Sequence, residues 1–246
     1  MSEGVFYIAT GKFLAEAIES AAQVEQCMND VSIGVITDRI GKLEDISIFD
    51  DIIEVDEASH SWADKPEYMT NSPYDKSIYL DTDIYVDSNI KDIFNLLDRF
   101  DIAAAQSPAR VTHPLNDLPM AFSEFNTGVI AFGNTSAAHE ALQKWGEIYS
   151  SGGVESNQPA FREAIFKSSA EVTVLPTEYN CRWPLAGYVR DKVKMFHGRL
   201  LSFEKDISGI ETNVTVDEAV EIINGAHGPR VFVNDGKDIH VRRFFD

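Results

Sequence analysis

Lys76-Ser77-Ile78-Tyr79-Leu80-Asp81-Thr82-Asp83-Ile84-Tyr85-Val86 reads as an apolar strand that delivers two carboxylates, spaced i and i+2, at its end. Side chains alternate along an extended chain, so Asp81 and Asp83 share a side and can converge on one hard cation, while Thr82 points the other way. The plainer reading is a turn former, because an Asp after a buried strand can hydrogen-bond the backbone just beyond it. The segments on either side decide between the two.

Upstream, Val5-Phe6-Tyr7-Ile8-Ala9 is a short apolar run closed by Thr10-Gly11. Apolar residues then recur at Phe13, Leu14, Ala17, Ile18, Ala21 and Val24, the period of an amphipathic helix. Two more runs, Val31 to Ile36 and Ile52 to Val55, are nearly continuous, as in parallel strands buried on both faces. Strand, helix, strand predicts a right-handed βαβ start. Downstream, Ile90, Ile93, Phe94 and Leu97 mark a short helix and Ile102 to Ala105 a strand. A strand over Phe125 to Phe132 and a helix over Ala138 to Tyr149 follow. A second helix runs from Gln158 to Phe166, with Asn157 as its cap and Pro159 in its first turn. Val172 to Pro176 and Val193 to His197 read as strands, the latter as the last of the core. Between the strands at Ile102 to Ala105 and Phe125 to Phe132 lies Gln106 to Glu124, too long and too rich in proline for a simple connector, and hence a candidate lid or acceptor wall. The tail predicts a helix over Val216 to Asn224 and a hairpin turning at Asn234-Asp235-Gly236.

The chain has 246 residues, 44% of them hydrophobic, enough to bury one large α/β core. A net charge of −19 argues against nucleic acid and anionic membrane surfaces as partners, since both rely on a basic face. It suits a salt-rich medium, where screening weakens self-repulsion. A phosphate-bearing substrate would therefore need a bound cation and a few placed lysines. Met1-Ser2-Glu3-Gly4 opens no basic-then-apolar leader, and no run approaches the roughly 18 apolar residues of a membrane span, so a soluble cytoplasmic protein is expected. Cys27 and Cys181 lie far apart and form no C-x-x-C pair, which leaves them as packing residues.

In their order, these segments resemble the glycogenin-like sugar transferases of glycosyltransferase family 8 and the wider nucleotide-diphospho-sugar transferase superfamily, over roughly residues 4 to 199. The motifs are Tyr7-Ile8-Ala9-Thr10, Tyr79-Leu80-Asp81-Thr82-Asp83, Phe125-Asn126-Thr127-Gly128-Val129, Leu175-Pro176-Thr177-Glu178-Tyr179-Asn180 and Phe196-His197-Gly198-Arg199. The resemblance implies a GT-A type, Rossmann-like mixed sheet flanked by helices, with a small C-terminal helix and hairpin added. Residues 1–200 would form the transferase domain and 201–246 an extension packed on it. It also implies a metal-dependent hexosyl transfer from a nucleoside diphosphate sugar, expected to be UDP-linked, to a glycan or small-molecule hydroxyl with retained configuration.

On that resemblance, Asp81, Asp83 and His197 hold the cation. A mixed oxygen and imidazole set favours manganese, with magnesium as substitute. Ala9, Thr10, Lys65, Asp81, Thr82, Asp83, Asn126 and Arg199 would contact nucleotide or donor. Lys65 lies eleven residues before Lys76, the offset of a donor-binding lysine in the family, and Lys76 is the weaker candidate. Asn126, Asn157 and Gln158 would serve catalysis, although Asn157 stands where the family has Asp. The amide can hydrogen-bond a sugar hydroxyl but carries no charge. The longer H-F-x-G-x-x-K-P-W ending is absent. Trp183 and Tyr188 are acceptor-stacking candidates, with a core position the plainer reading of each.

Two other classes share some of these features. Leu80 to Val86 also resembles the haloacid-dehalogenase phosphatase signature, but that signature opens its domain on the first strand. A sugar-nucleotide-binding protein without turnover would explain Asn157.

Overall fold

The computed structural model describes residues 1–115, 117–152, 156–198 and 213–244. In chain order the first elements are β1 (Glu3–Ile8), α1 (Leu14–Cys27), β2 (Ser32–Thr37), β3 (Asp51–Glu54), α2 (Asp64–Tyr68), β4 (Lys76–Leu80), β5 (Ile84–Val86) and α3 (Asp92–Leu96). They are followed by β6 (Ile102–Gln106), β7 (Phe125–Gly133), α4 (Ser136–Ser150), α5 (Asn157–Lys167), β8 (Val172–Leu175), β9 (Gly187–Val189) and β10 (Met195–His197). The tail adds α6 (Val216–Gly225), β11 (Arg230–Asn234) and β12 (Ile239–Arg243).

Seven strands form one sheet in the order β3-β2-β1-β4-β7-β6-β8. All its neighbours pair in parallel except those of β7, which runs against both β4 and β6. The continuous apolar runs are explained by burial on both faces. Val5 and Tyr7 pack with Leu14, Ala17, Ala21 and Val24 of α1, whereas Phe6 and Ile8 face Trp145 of α4 and Phe161 of α5.

Strand order reverses between β1 and β4. After β1 the chain moves outward to β2 and β3, then returns to place β4 on the other side of β1. Such a switch point leaves a crevice at the carboxyl ends of the two strands, where loops depart in opposite directions. Thr10 follows β1 and Asp81 follows β4 there. Because β7 is antiparallel, its beginning, Asn126 to Gly128, lies at the same edge.

The tail matches its sequence reading. Thr215 and Glu218 form a reciprocal capping box at the start of α6, and Gly236 supplies the positive φ, +88°, that turns β11 into β12. This hairpin pairs with β9, and its Phe232 packs with Trp183 and Phe196 in a third cluster. Three expectations need correction. The segment ending at His197 is not a strand of the main sheet, because among the described strands β10 pairs with β5 in a two-stranded ribbon, with one further bridge from Phe196 to Cys181. Lys76 begins β4, at the end remote from Asp81, and is tied to Glu3 and Asp98, so it takes no part in the crevice. Tyr188 is half exposed and packs edge-on against Phe244, while Trp183 is buried.

Candidate metal centre

The two acids converge, though not by alternation along a strand. β4 ends at Leu80, the Asp81 amide donates to the Gly128 carbonyl at 2.7 Å, and the Ile84 amide donates to the Asp81 carbonyl at 3.1 Å. That last bond closes a turn over Asp81-Thr82-Asp83, and the chain then leaves the main sheet for β5. The turn-forming and site-forming readings thus describe the same residues. The Thr82 hydroxyl donates to the Glu16 carboxylate at 3.1 Å in a buried contact, and the residue lines the same cleft as the two acids.

His197 arrives through the ribbon, where it stands opposite Ile84 in the β5–β10 register. Its Nε2 lies 3.4 Å from Asp83 Oδ1 and 3.9 Å from Asp81 Oδ2. One ligand atom from each of the three residues falls within 4.8 Å of the others. The imidazole also lies against Gly128, where an added Cβ would stand 2.2 Å from its Cε1. Glycine at 128 is therefore a space requirement of the histidine. A carboxylate pair with one imidazole fits a divalent cation such as Mn2+ by donor chemistry.

Fixed charges surround these acids. Lys65 Nζ straddles Asp81, 2.6 Å from Oδ1 and 2.8 Å from Oδ2. Tyr79 donates its hydroxyl to Asp81 Oδ1 at 2.5 Å. Burial, then the charge of Asp81, pushes the Tyr79 phenol well above its ordinary pKa, so it remains a donor. Arg182 Nη1 lies 4.0 Å from Asp83 Oδ2.

Thr10, Lys65, Asn126, Asn157 and Gln158 join the acids and His197 in lining one cleft, together with Phe13 and Trp62. Thr10 lines it with its hydroxyl committed, donating to Asp64 Oδ2 at 2.6 Å. Ala9 does not line it: the residue is fully buried, its amide bonded to Ile36 and its carbonyl to the Thr37 hydroxyl. Asn157 does not cap α5, because Ser156 holds the cap position and Asn157 is the first helical residue. Its Oδ1 instead accepts the Thr127 hydroxyl at 2.9 Å. Next to it, Gln158 Oε1 is buried without a hydrogen-bond partner among the described residues. A buried acceptor in that state within a cleft wall is open to a donor from a ligand. Arg199 lies outside the described residues.

The segment from Gln106 to Glu124 is pinned where it is described. Arg162 donates to the Phe122 and Pro119 carbonyls, and the buried Glu124 carboxylate accepts from Thr112 and His113. None of its described residues lines the cleft. Sequence reasoning missed Asp64, Trp62 and Arg182. Asp64 was detectable only through its partners, since its two oxygens accept from Thr10, Ser59 and His60 across separate segments. A lone Arg182 carries no spacing signal.

No protein-family model matches the chain, and no curated protein does. Solved structures of glycosyltransferases do. GlyE from Streptococcus pneumoniae TIGR4 matches with a TM-score of 0.55 at 18% identity, over 75% of this chain and 47% of that one. The bifunctional glycosyltransferase WbbM matches at 0.56 and 14% identity, over 92% of this chain and 50% of its own. Mouse xyloside xylosyltransferase 1 matches at 0.52 and 14% identity, over 80% and 98%. The chain thus spans about half the length of GlyE and of WbbM. Likeness at these identities establishes the fold: the mixed α/β architecture of GT-A glycosyltransferases. Among the described residues no helix is long and apolar enough to cross a membrane.

Proposed function

We propose that this chain is a metal-dependent glycosyltransferase of the family 8 kind, moving a hexose from a UDP-sugar to a hydroxyl of a glycan or small molecule. The observation that carries the reading is the Asp81, Asp83 and His197 group at the β1/β4 switch point, within reach of Lys65 and Arg182. A haloacid-dehalogenase reading would need the D-x-D on the domain's first strand, whereas here it follows β4. Cleavage of a glycosyl–diphosphate bond leaves negative charge on the diphosphate. Manganese held by these three residues would offset that charge without proton transfer.

The protein's own residues supply the rest. Lys65, tied to Asp81, has its ammonium within the same cleft and can turn toward a diphosphate oxygen. Arg182 adds a second cation on the Asp83 side. Gln158 Oε1, buried and unpartnered among the described residues, is suited to accept a hydroxyl hydrogen bond from the donor sugar or to face positive charge developing at its anomeric carbon. Asn157 holds the Thr127 hydroxyl and so fixes the wall beneath that sugar. Retention follows from the family 8 resemblance, with Gln158 facing the reacting face.

Charge counting gives a testable property. Asp64, Asp81 and Asp83 line the cleft with Lys65 and Arg182, so a divalent cation turns the local balance from about one negative charge to about one positive, which a diphosphate offsets. Metal and nucleotide should therefore bind synergistically. Thermal-shift scans with Mn2+ alone, UDP alone and both together should show a combined shift larger than the sum of the two. Excess chelator should return the combined shift to that of UDP alone and abolish donor hydrolysis. Equal UDP shifts with and without Mn2+ would count against the metal, and binding without turnover would favour a non-catalytic sugar-nucleotide binder.

A further inference from the structure

The imidazole of His197 is oriented from behind by a chain of amides that ends on the backbone. Asn126 Oδ1 accepts the Gly128 amide at 2.9 Å, and Asn180 Nδ2 donates to the same oxygen at 2.9 Å. Asn180 Oδ1 lies 2.9 Å from His197 Nδ1. Asn126, Asn180 and His197 are all buried. Side-chain amides and imidazoles can be placed either way round in isolation, so their roles must be deduced from a fixed group.

A backbone N–H supplies that group, since it can only donate. The Asn126 atom facing Gly128 must be its oxygen. Asn180 must then turn its NH2 toward that oxygen, which leaves the Asn180 carbonyl facing His197. An acceptor at 2.9 Å requires a proton on Nδ1. The lone pair of the neutral ring is consequently on Nε2, the atom 3.4 Å from Asp83. Flipping either amide would set donor against donor, or acceptor against acceptor, in a buried site, each at a cost of a lost hydrogen bond plus desolvation.

We propose that Asn180 is a positioning residue: through Asn126 it transmits the direction of the Gly128 N–H bond to His197 and holds the ring in the Nδ1–H tautomer, so that Nε2 is presented to the cation. The inference rests on the metal reading for its purpose, while the tautomer itself belongs to the metal-free protein. Metal-bound histidines depend on such outer hydrogen bonds, whose loss weakens metal binding by about 10–100-fold. Here the outer partner is an amide that is itself fixed by main chain.

Multiple-bond proton–nitrogen correlation spectra of the imidazoles, recorded without metal at a pH where His197 is neutral, read the tautomer directly. Wild-type protein should show Nδ1 protonated and Nε2 bare. Asn180→Asp keeps an acceptor for Nδ1 and should keep this tautomer. Asn180→Leu removes the acceptor and should shift His197 toward Nε2–H, with Mn2+ affinity by calorimetry falling about 10–100-fold. A residue that merely packed would give no such split between Asp and Leu. An Nε2–H ring in the wild type, or an unchanged tautomer in Asn180→Leu, overturns the proposal even if one variant folds poorly. An Nδ1–H wild type that binds no Mn2+ supports the relay and overturns the metal reading.

Discussion

Asp83→Asn should abolish Mn2+-dependent stabilisation by UDP and lower transfer by about 10³-fold or more, while lowering the melting temperature less than Asp81→Asn does. The activity loss follows from removing a charged ligand of a cation asked to supply several kcal/mol to the departing diphosphate, at about 1.4 kcal/mol for each factor of ten. The smaller loss of stability follows from the local charges. Asp83 shares the turn with Asp81, so neutralising it relieves a like-charge contact, against the loss of a carboxylate that stands 4.0 Å from Arg182 and 3.4 Å from His197, both longer than the Asp81–Lys65 contacts. Asp81→Asn should lose the same metal response yet melt earlier, because Lys65, only 12% exposed at its side chain, then keeps a positive charge without its carboxylate. Thermal shift with and without Mn2+ and UDP separates the two variants. A full metal response in both would remove the acids from the site.

Gly128→Ala should be nearly as damaging to metal binding, although residue 128 offers no ligand. Its Cβ would stand 2.2 Å from His197 Cε1, 2.6 Å from Nδ1 and 3.0 Å from Asn126 Oδ1. The backbone there cannot retreat easily, since the Gly128 carbonyl accepts Asp81 and its amide donates to Asn126. The imidazole must leave instead. Overpacking of this kind costs about 1–3 kcal/mol, and metal affinity should drop to the level of His197→Ala. The double variant discriminates between causes: His197→Ala should recover most of the stability lost in Gly128→Ala and leave metal binding no weaker than either single variant. If Gly128→Ala binds Mn2+ as wild type does, the ring does not occupy that space.

Much of this site was legible from residue order. The buried parallel strands announced themselves as unbroken apolar runs, and the order of short motifs brought Asp81, Asp83 and His197 together before any geometry was known. What the sequence obscured was the local path. A D-x-D after a strand reads as two side chains on one side of an extended chain, but the hydrogen bond from Ile84 to Asp81 makes it a turn. Asn157 reads as a cap because Asn, Gln, Pro is a good helix start, yet Thr127, thirty residues earlier, claims its oxygen. Ala9 carried only the resemblance, and its backbone proved fully used inside the sheet. Asp64 and Arg182 acquire meaning only from residues distant in sequence, so periodicity and spacing had no means of marking them.

On the proposed function, one divalent cation is held between the D-x-D turn and His197 and is completed by a nucleoside diphosphate. Crystals grown with Mn2+ and UDP, measured at a wavelength where manganese scatters anomalously, test it directly. The expected map has a single strong anomalous peak in contact with Asp81, Asp83 and His197 Nε2, with the diphosphate on its open side and Lys65 drawn from Asp81 toward a phosphate oxygen. A map with UDP bound, no anomalous density among these three residues and Lys65 still bridging Asp81 would contradict it.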